Sequence, residues 1–325
     1  MISEQILREQ LKYTLDKTTF SFGKRYEGKV RDNFSVNGKR VIITTDRISA
    51  FDRVLCSLPF KGQVLNQTAE FWFEKTNHII KNHVLEVPDP NVLVAVECEL
   101  IPVEMVVRGY LTGTTKTSVL YNYNKGVRNY CGNNLPDGMK KDQAFEKPII
   151  TPTTKGIKGT HDELISKQDI VEKKLTDKKM YEQMERAALS LFTFGSEYVA
   201  KNNLILVDTK YEFGLLDGKL MLIDEMHTPD SSRFWVKDSY PNRFKKGEEP
   251  QKLDKEYVRQ YLAERDFLGD GPIPEIPDDI KVEAARRYIT AYEMITGKEF
   301  KADVGKVHSR IEANLRKVGL IGEKH

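Results

Sequence analysis

The apolar positions of the chain recur with two different periods, which predicts a mixture of helices and strands. Between residues 2 and 16 they recur at helical spacing, and this segment is predicted to be a helix. Segments 26–34 and 39–45 have the composition of strands, and Asn37-Gly38 between them is typical of a two-residue hairpin. The chain is therefore predicted to begin with a helix and to continue into an antiparallel sheet.

Later segments extend this pattern to the end of the chain. Strands are predicted over residues 92–99 and 103–108, with Pro102 interrupting the ladder between them. The other predicted elements are helices over 63–82 and 180–201, a hairpin of strands 204–213 and 220–225, and helices near 254–267, 278–296 and 302–318. Residues 109–159 have weak periodicity, which indicates either long ordered loops or a mobile region. The predicted fold class is α+β, with antiparallel sheets and flanking helices, in two lobes at residues 1–105 and 106–325.

Composition places the chain among globular proteins of about two domains. It has 325 residues, 39% of them hydrophobic and 30% charged, and its 51 Lys and Arg exceed its 48 Asp and Glu by only 3. Neither nucleic acid nor a membrane is therefore expected as a partner. The three cysteines are far apart and lack the spacing of a zinc site. No apolar run resembles a signal peptide or a spanning helix, so a cytoplasmic location is expected.

Two cations stand close together near the start of the predicted sheet. Alternate residues of a strand share a face, so Lys29 and Arg31 are predicted to point the same way, and Gly28 allows another group to approach the backbone. Two such cations suit the oxygens of a polyphosphate. A solvated strand face explains the same residues without a ligand, and this segment alone favours that explanation.

Two loops after predicted strands contain polar groups that suit ligand binding. Residues 45–52 include Asp46, Arg47, Ser49 and Asp52; the structural alternative is that Asp46 caps a turn and pairs with Arg47. Arg108 likewise precedes a loop of glycines and hydroxyls, a composition suited to a carboxylate or a phosphate. Glycines there could instead serve turn geometry alone.

Residues 151–155 and 159–163 combine hydroxyls with Lys155, His161 and Asp162. They are candidates for the same anion chemistry as the Arg108 loop. Asp162 or Thr160 could equally be the N-cap of the next helix.

The strand predicted at 204–213 has the most informative pattern. Asp208, Lys210 and Glu212 alternate with apolar or neutral residues and should therefore line one face. Charged side chains after four apolar residues are costly to bury unless they are paired or bind a metal. A metal or phosphate site is the economical explanation.

The turn at Asp217-Gly218 makes a metal site testable. In a plain two-residue loop Glu212 faces Ile223, and Asp224 projects to the opposite side. A bulge near Gly218 is predicted if Glu212 and Asp224 bind one ion. Hard oxygen ligands favour Mg2+, which commonly takes one or two carboxylates together with water and phosphate.

Residues 224–235 follow this hairpin and offer a second anion site. Residues 228–232 are predicted to form a turn rich in hydroxyls, with Arg233 available for an anionic group. His227 is interpreted as a packed or surface residue rather than a base, because nothing nearby marks a catalytic triad. Phe234 and Trp235 are expected in the core.

In their order and combination, these motifs resemble the SAICAR synthetase family, the phosphoribosylaminoimidazole-succinocarboxamide synthases. The motifs are GKVRD at 28–32, TDRISAFD at 45–52, PVEMVVRGYLTGT at 102–114, TPTTKG and HDE within 151–163, LVDTKYEFG at 206–214 and DEMHTPDSSRFW at 224–235. The chain is similar in length to the fungal-type and related bacterial forms. The resemblance implies a two-lobed α+β fold related to ATP-grasp enzymes and protein kinases, with the nucleotide between the lobes.

The resemblance also implies the reaction. ATP and Mg2+ would join L-aspartate to the carboxylate of carboxyaminoimidazole ribonucleotide (CAIR), giving SAICAR, ADP and phosphate, through an acyl phosphate that the aspartate amine attacks. The expected partners are these small molecules, and the chain is expected to be a monomer or a homodimer. The small lobe would clamp the ATP phosphates, and the larger lobe would hold Mg2+ and the ribonucleotide.

Individual residues take roles from the same resemblance. The implied catalytic residues are Lys210, Asp208 and Lys155, and the implied metal ligands are Glu212 and Asp224. The implied ATP site comprises Lys29, Arg31, Glu97, Glu99, Leu100 and Asp162, and the implied substrate site comprises Arg108, Thr114, Ser232, Arg233, Asp52 and Ser49.

Two other classes of function share part of this pattern. A kinase or another ATP-dependent carboxylate ligase would share the nucleotide residues and differ around Arg108, Ser232 and Arg233. A nonenzymatic nucleotide-binding module would leave the two acids and the lysine on one strand face unexplained.

Overall fold

The computed structural model describes residues 2–51, 53–155, 163–253 and 256–322, with the backbone alone at Glu256. These residues form two compact units. The first unit contains the described residues of Met1–Glu74, His83–Glu97 and Leu253–His325, and the second unit contains those of Lys75–Asn82 and Cys98–Lys252.

Strands and helices alternate along the chain, and the predicted α+β class is confirmed. The strands are β1 (Lys24–Glu27), β2 (Arg31–Val36), β3 (Lys39–Thr44), β4 (Arg47–Ala50), β5 (Arg53–Ser57), β6 (Val84–Asp89), β7 (Val92–Val96), β8 (Glu99–Tyr110), β9 (Asn129–Tyr130), β10 (Asn133–Asn134), β11 (Ala144–Ile150), β12 (Thr153–Thr154), β13 (Glu163–Leu164), β14 (Leu204–Leu216), β15 (Lys219–Ile223) and β16 (Ser232–Val236). The helices are α1 (Glu4–Gln10), α2 (Lys61–Thr76), α3 (Val119–Asn124), α4 (Lys167–Glu172), α5 (Lys178–Ala200), α6 (Tyr240–Lys246), α7 (Glu256–Ala263), α8 (Asp278–Thr296) and α9 (Val307–Lys317), and a 3-10 turn covers Leu11–Tyr13. None of the described helices combines the length and the apolar composition needed to cross a membrane.

The first unit is built on an antiparallel sheet in the order β1-β2-β3-β7-β6. Its predicted hairpin is confirmed: Val36 pairs with Lys39, and Asn37 and Gly38 both adopt positive φ, as a type I′ turn requires.

The single strand predicted at 26–34 is wrong, because the chain turns between Glu27 and Arg31. Gly28 N donates to Arg31 O at 2.8 Å, and a Cβ at Gly28 would lie only 2.9 Å from that oxygen. Lys29 therefore lies in a turn and does not share a strand face with Arg31.

The C-terminal helices belong to the first unit, which differs from the predicted lobe boundary at residue 105. Leu7 of α1, Val64 of α2 and Ile289 of α8 are buried in one apolar cluster. Phe34 of β2 and Ile311 of α9 are buried in another. An apolar face in the sequence shows that an element is covered, but it does not show which segment covers it, so the return of the chain was not predictable.

The second unit contains a sheet in the order β13-β12-β8-β14-β15, to which β11 adds on β8 and β16 adds on β14. Strand β8 runs through Pro102, so the predicted division into two strands is wrong, whereas the predicted interruption of the ladder at Pro102 is confirmed. The ladder between β14 and β8 shifts register so that residues 101–103 oppose Phe213 alone. Proline is tolerated at such an irregularity, where no regular ladder hydrogen bond is needed.

The β14–β15 hairpin has no bulge, which makes the bulge predicted near Gly218 wrong. Leu216 pairs with Lys219, and Glu212 pairs with Ile223 in continuous register. Asp217 and Gly218 both have positive φ, so the two-residue turn already matches the twist of its strands.

Of the two alternatives for residues 109–159, the described part, 109–155, forms ordered structure. Leu111, Leu120 and Tyr130 are buried in an apolar cluster of their own, against which Phe145 packs.

Candidate active site

A charged surface covers one face of the second unit's sheet. Asp208, Lys210 and Glu212 alternate along β14, and Arg108 and Glu104 of β8 lie directly opposite Asp208 and Glu212. We call these five residues the charged face. The prediction that the three β14 residues share a face is confirmed.

The carboxylates of this face are buried but paired. Lys210 Nζ lies 2.5 Å from Glu104 Oε1 and 3.0 Å from Glu212 Oε1. Lys155 donates to the second oxygen of Glu212, and Thr153 Oγ1 donates to Glu104 Oε2 at 2.9 Å. Buried charges persist when they are paired and hydrogen-bonded, and this network meets both conditions.

Both lysines of the network remain cations. Burial alone would lower the pKa of Lys210, but Glu212, Glu104 and Asp224 outweigh it and raise that pKa. Burial likewise opposes the charge of Lys155, whose pKa is nevertheless raised by Glu212 and, to a smaller extent, by Asp224. These ammonium groups can therefore attract anions but are poor general bases.

Asp224 raises the pKa of the same two lysines, although the hairpin before it is regular. It is the first residue after β15, is half-buried, and has a φ of 67°. This left-handed conformation turns the chain at a position where strand alternation no longer applies. The described residues contain no group of three or more His, Cys, Asp or Glu side chains that could hold a metal ion.

Two arginines contact Asp208 at the other end of the charged face. Arg233 binds Asp208 with two nitrogens, Nε at 2.9 Å and Nη2 at 2.7 Å. Arg108 Nη1 lies 3.4 Å from Asp208, while its Nε donates to Thr151 Oγ1 at 2.8 Å. Gly113, with a φ of 99°, passes close to this pair, because a Cβ there would lie 3.0 Å from Arg233 Nη1.

The hydroxyl residues beside these arginines differ in their burial. Ser232 is buried and donates to Thr209 Oγ1 at 2.7 Å, whereas Thr114 is exposed. The predicted hydroxyl turn is confirmed, since Ser231 Oγ accepts from Thr228 N at 3.1 Å and Ser232 N donates to Thr228 O at 3.0 Å.

In the first unit, the structure decides the alternative that was left open for Asp46 and Arg47. Asp46 accepts from the backbone N–H of Leu15 at 2.7 Å and of Gly62 at 2.9 Å, so its role is structural. The pair with Arg47 that this structural alternative included is not formed, since Arg47 instead binds Asp32 at 2.8 Å. Burial raises the pKa of Asp46 to about 6, against the two N–H groups that lower it.

The remaining candidates that the structure describes lie in the first unit and at the start of β8. Lys29 is exposed in its turn, and Arg31 and Ser49 are half-buried. Asp52 and Asp162 lie outside the described residues.

Glu97 contacts Arg40 and ends the middle segment of the first unit. Glu99 and Leu100 are exposed where β8 begins in the second unit.

Glu104 is the residue of the charged face that the sequence analysis missed. The signal was present: Glu104 interrupts the apolar run of β8 four residues before Arg108, and this spacing places both on one strand face. Thr151 and Thr153 were seen only as hydroxyls of a loop, although both are buried against the charged face.

The opposite side of β14 carries a neutral buried pair. Tyr211 Oη and His227 Nε2 are 2.5 Å apart, and burial lowers the pKa of His227 to about 3. A Cβ at Gly195 of α5 would lie 2.3 Å from the His227 ring, so glycine is required there. The interpretation of His227 as a packed residue is confirmed, as is the burial of Phe234 and Trp235.

Known proteins of one family are similar to this chain over most of its length. The SAICAR synthetase family profile matches residues 24–270. The phosphoribosylaminoimidazole-succinocarboxamide synthase of Bacteroides thetaiotaomicron is 48% identical over 309 residues, which cover 93% of this chain and 97% of that protein.

Two solved structures have the same fold. SAICAR synthase of Saccharomyces cerevisiae, complexed with SAICAR, gives a TM-score of 0.78 at 30% identity, covering 89% of this chain and 100% of that one. A type-2 SAICAR synthetase in complex with ADP gives a TM-score of 0.64 at 24% identity, covering 86% and 100%. The chain belongs to the SAICAR synthetase family.

Proposed function

We propose that this chain joins L-aspartate to the carboxylate of CAIR with consumption of ATP, and that the charged face of the second unit performs the chemistry. Membership of the family supports the reaction. The observation that carries the assignment to this face is its balance of buried carboxylates against protonated lysines and arginines. The three cysteines are free thiols, which fits a reducing cytoplasm, the location that we propose.

The lysines supply positive charge for phosphoryl transfer. Such transfer depends mainly on positioning and on neutralising the charge of the moving phosphoryl group. The pKa values of Lys155 and Lys210 are raised. The Lys155 side chain is 40% exposed and the Lys210 side chain is 34% exposed. Their ammonium groups can exchange carboxylate contacts for phosphate contacts without displacement of the backbone. Asp208 would act beside them by holding both arginines.

The residues present fit Mg2+. Glu212 and Asp224 offer hard oxygen donors and act on the same two lysines. Because Mg2+ commonly takes only one or two carboxylates and completes its shell with water and phosphate, a larger cluster is not required. We propose that Glu212 and Asp224 hold the ion, which when bound supplies charge neutralisation at the phosphates.

The arginine end of the charged face suits the ribonucleotide. Arg108 and Arg233 are oriented by Asp208, and the planar guanidinium fork matches a phosphate group. We propose that these arginines, with Ser232 and Thr114, bind CAIR. A yeast relative has been solved with SAICAR, the product of the same ligation, which supports such a site in the family.

We propose the ATP site at Lys29, Arg31 and the segment containing Glu97, Glu99 and Leu100, with Asp162. The cations of the Gly28–Arg31 segment suit polyphosphate oxygens. The ADP complex of a protein with this fold supports use of a nucleotide. Ser49 and Asp52 are proposed to lie near the imidazole nucleotide or the incoming aspartate.

A coupled assay tests the reaction. The purified protein is incubated with ATP, Mg2+ and CAIR, with or without L-aspartate, and ADP release is measured. Aspartate-dependent release is the expected result. Release without aspartate would indicate another phosphotransferase, and absence of release with all substrates would contradict the ligase assignment.

The ribonucleotide site has its own test. Arg233→Ala is expected to raise the KM for CAIR about tenfold or more, because a charge-assisted hydrogen bond contributes about 1.5–3 kcal/mol. The KM for ATP should change less than about twofold. Arg243→Ala, an arginine on α6 that pairs with Glu248, is the matched control. A larger change in the KM for ATP than for CAIR would contradict the assignment.

A further inference from the structure

Arg47 is a buried arginine whose guanidinium is directed at the main chain. It begins β4 and is only 4% exposed. Nε donates to Lys29 O at 2.9 Å, Nη1 donates to Asp16 O at 2.6 Å, and Nη2 donates to Gly28 O at 3.0 Å. Nη2 also donates to Asp32 Oδ1 at 2.8 Å. Each of its three guanidinium nitrogens therefore has a protein acceptor.

These contacts hold the Gly28–Val30 turn from one side. The carbonyls of Gly28 and Lys29 accept from Arg47, and the carbonyl of Val30 accepts from Thr45 N at 3.0 Å and from Thr45 Oγ1 at 2.8 Å. Three consecutive carbonyls are thus bound by two residues, Thr45 and Arg47, that are separated by one position in the chain. The turn is fixed by the 45–47 segment and by Gly28 N, which bonds to Arg31 O.

The direction of the carbonyls determines the direction of the amides. A trans peptide is planar, so the N–H of one residue points opposite to the C=O of the residue before it. No cis peptide is found in the described residues. The N–H groups of Lys29 and Val30 therefore point away from the Arg47 guanidinium. Backbone N–H groups of a turn that point in a common direction are suited to binding anions.

Asp32 fixes Arg47 in turn. Its carboxylate accepts from Arg47, from Thr18 Oγ1 at 2.6 Å and from Arg25 Nη2 at 3.1 Å. Burial opposes the ionisation of Asp32, but the hydrogen bonds from Arg47 and Thr18 outweigh it and hold its pKa below the usual value. Because Asp32 and three carbonyls occupy all three guanidinium nitrogens, Arg47 serves the turn rather than a ligand.

We propose that Arg47 is a positioning residue for ATP: by holding the Gly28–Val30 turn, it presents Lys29, Arg31 and the turn amides to the ATP phosphates. This inference rests on the proposed ATP site at Lys29 and Arg31. It gives the 45–52 segment a role in the reaction through the main chain, without contact between Arg47 and a substrate.

Two pairs of variants separate positioning from general stability. Arg47→Lys keeps the charge but cannot reproduce the forked contacts. Its control is Arg310→Lys, because Arg310 of the same unit also forms forked contacts, with Asp89, but does not touch the turn. Thr45→Val removes only the hydroxyl bond to Val30 O. Its control is Thr68→Val, which removes the equivalent 2.7 Å bond from a buried threonine to Val64 O within α2.

Steady-state titration of each substrate and calorimetric titration with ATP alone are the readouts. Arg47→Lys is expected to raise both the KM and the Kd for ATP about tenfold, and Thr45→Val about threefold, in line with the loss of several hydrogen bonds or of one. The KM values for CAIR and aspartate should stay within about twofold. Both controls should leave all three KM values unchanged, whatever their effect on stability. If Arg47→Lys does not fold, Thr45→Val still decides.

Lys29→Ala and Arg31→Ala distinguish failure of this inference from failure of the proposed ATP site. If these two variants raise the Kd for ATP while Arg47→Lys and Thr45→Val do not, the proposed ATP site is supported and the positioning role of Arg47 is overturned. If none of the four variants changes the Kd for ATP, both the proposed ATP site and the positioning role are overturned. Equal loss of affinity for all substrates in Arg47→Lys and Arg310→Lys would also overturn positioning, because it would show a general structural effect.

Discussion

Both units bury charged side chains, but they satisfy those charges in different ways. In the first unit Arg47 binds three main-chain carbonyls, and Asp46 accepts from two main-chain N–H groups. On the charged face of the second unit, Glu212 and Asp208 are bound by the side chains of lysines and arginines. The first set of charges is bound by main-chain groups, and the second is bound by side chains, of which Lys155 and Lys210 are partly exposed.

This difference indicates which charges can take part in chemistry. A charge that is saturated by backbone groups cannot change partner unless the fold opens, and removal of its partner leaves a buried group unsatisfied. A lysine that is partly exposed can exchange a carboxylate for a phosphate or a metal-bound oxygen at modest cost. Substitutions of buried charges in the first unit that lie away from the Gly28–Val30 turn should therefore affect mainly stability, and substitutions on the charged face should affect mainly turnover.

The largest expected effect is on stability and concerns Arg310 of α9. It binds both oxygens of Asp89, at 3.0 and 3.2 Å, and donates to Asp303 O at 3.0 Å. Arg310→Leu should lower the free energy of unfolding by about 3 kcal/mol, because the Asp89 carboxylate remains buried without its counterion. The kcat of the folded fraction should be unchanged. Urea denaturation and assays on folded protein measure both quantities.

Arg316→Leu is the matched control for this prediction. Arg316 lies on the same helix and pairs with Glu312 one turn away, a contact of the kind that contributes about 0.3–0.5 kcal/mol. Equal losses of stability in the two variants would show that burial of Asp89 does not set the cost.

Glu212 provides the opposite case, with a large effect on turnover. Glu212→Gln keeps the shape of the side chain but removes the charge that faces Lys155 and Lys210. We expect kcat to fall about 100-fold or more, the size typical for loss of one electrostatic group in an active site. The free energy of unfolding should change by about 1 kcal/mol or less, because both lysines can be solvated.

The comparison predicts the same pattern for Asp224→Asn, with Glu197→Gln on the exposed side of α5 as the control for both. Near-normal kcat in Glu212→Gln and Asp224→Asn would remove the metal assignment. A loss of several kcal/mol of stability would place Glu212 with the structural charges of the first unit.

Local patterns predicted much of the second unit's site. Alternation along β14 was sufficient to place Asp208, Lys210 and Glu212 on one face, because side-chain direction in a strand depends only on position. The hairpins at Asn37-Gly38 and Asp217-Gly218 were also predictable from local sequence, because the turn type is set by the two loop residues themselves.

Features that depend on distant segments, or on a single residue that departs from strand geometry, were not predictable. Asp224 is itself the left-handed residue that follows the strand. Strand alternation, which predicted the direction of the Glu212 side chain, does not apply at that position. The acceptors of Arg47 are carbonyls up to 31 positions away, and no side-chain pattern marks them. A guanidinium bound to main chain and one bound to a ligand look the same in a sequence, which is why the 45–52 segment allowed both interpretations.

The smallest expected effect concerns His227, on the neutral side of β14. Its pKa is about 3 in the folded protein and about 6.5 when unfolded, so between these values the unfolded chain binds more protons and stability rises with pH. This residue should contribute about 2 kcal/mol more stability at pH 7 than at pH 5. His227→Asn, whose side chain tolerates the left-handed backbone found there, should remove that part of the slope.

Urea denaturation of both proteins at pH 5, 6 and 7 measures the difference in slope, with His78→Asn as the control because His78 is an exposed histidine of the same unit. An unchanged slope in His227→Asn would mean that His227 takes up a proton in the folded state. The contact with Tyr211 would then carry charge, and the two faces of β14 would no longer divide into a charged side for chemistry and a neutral side for packing.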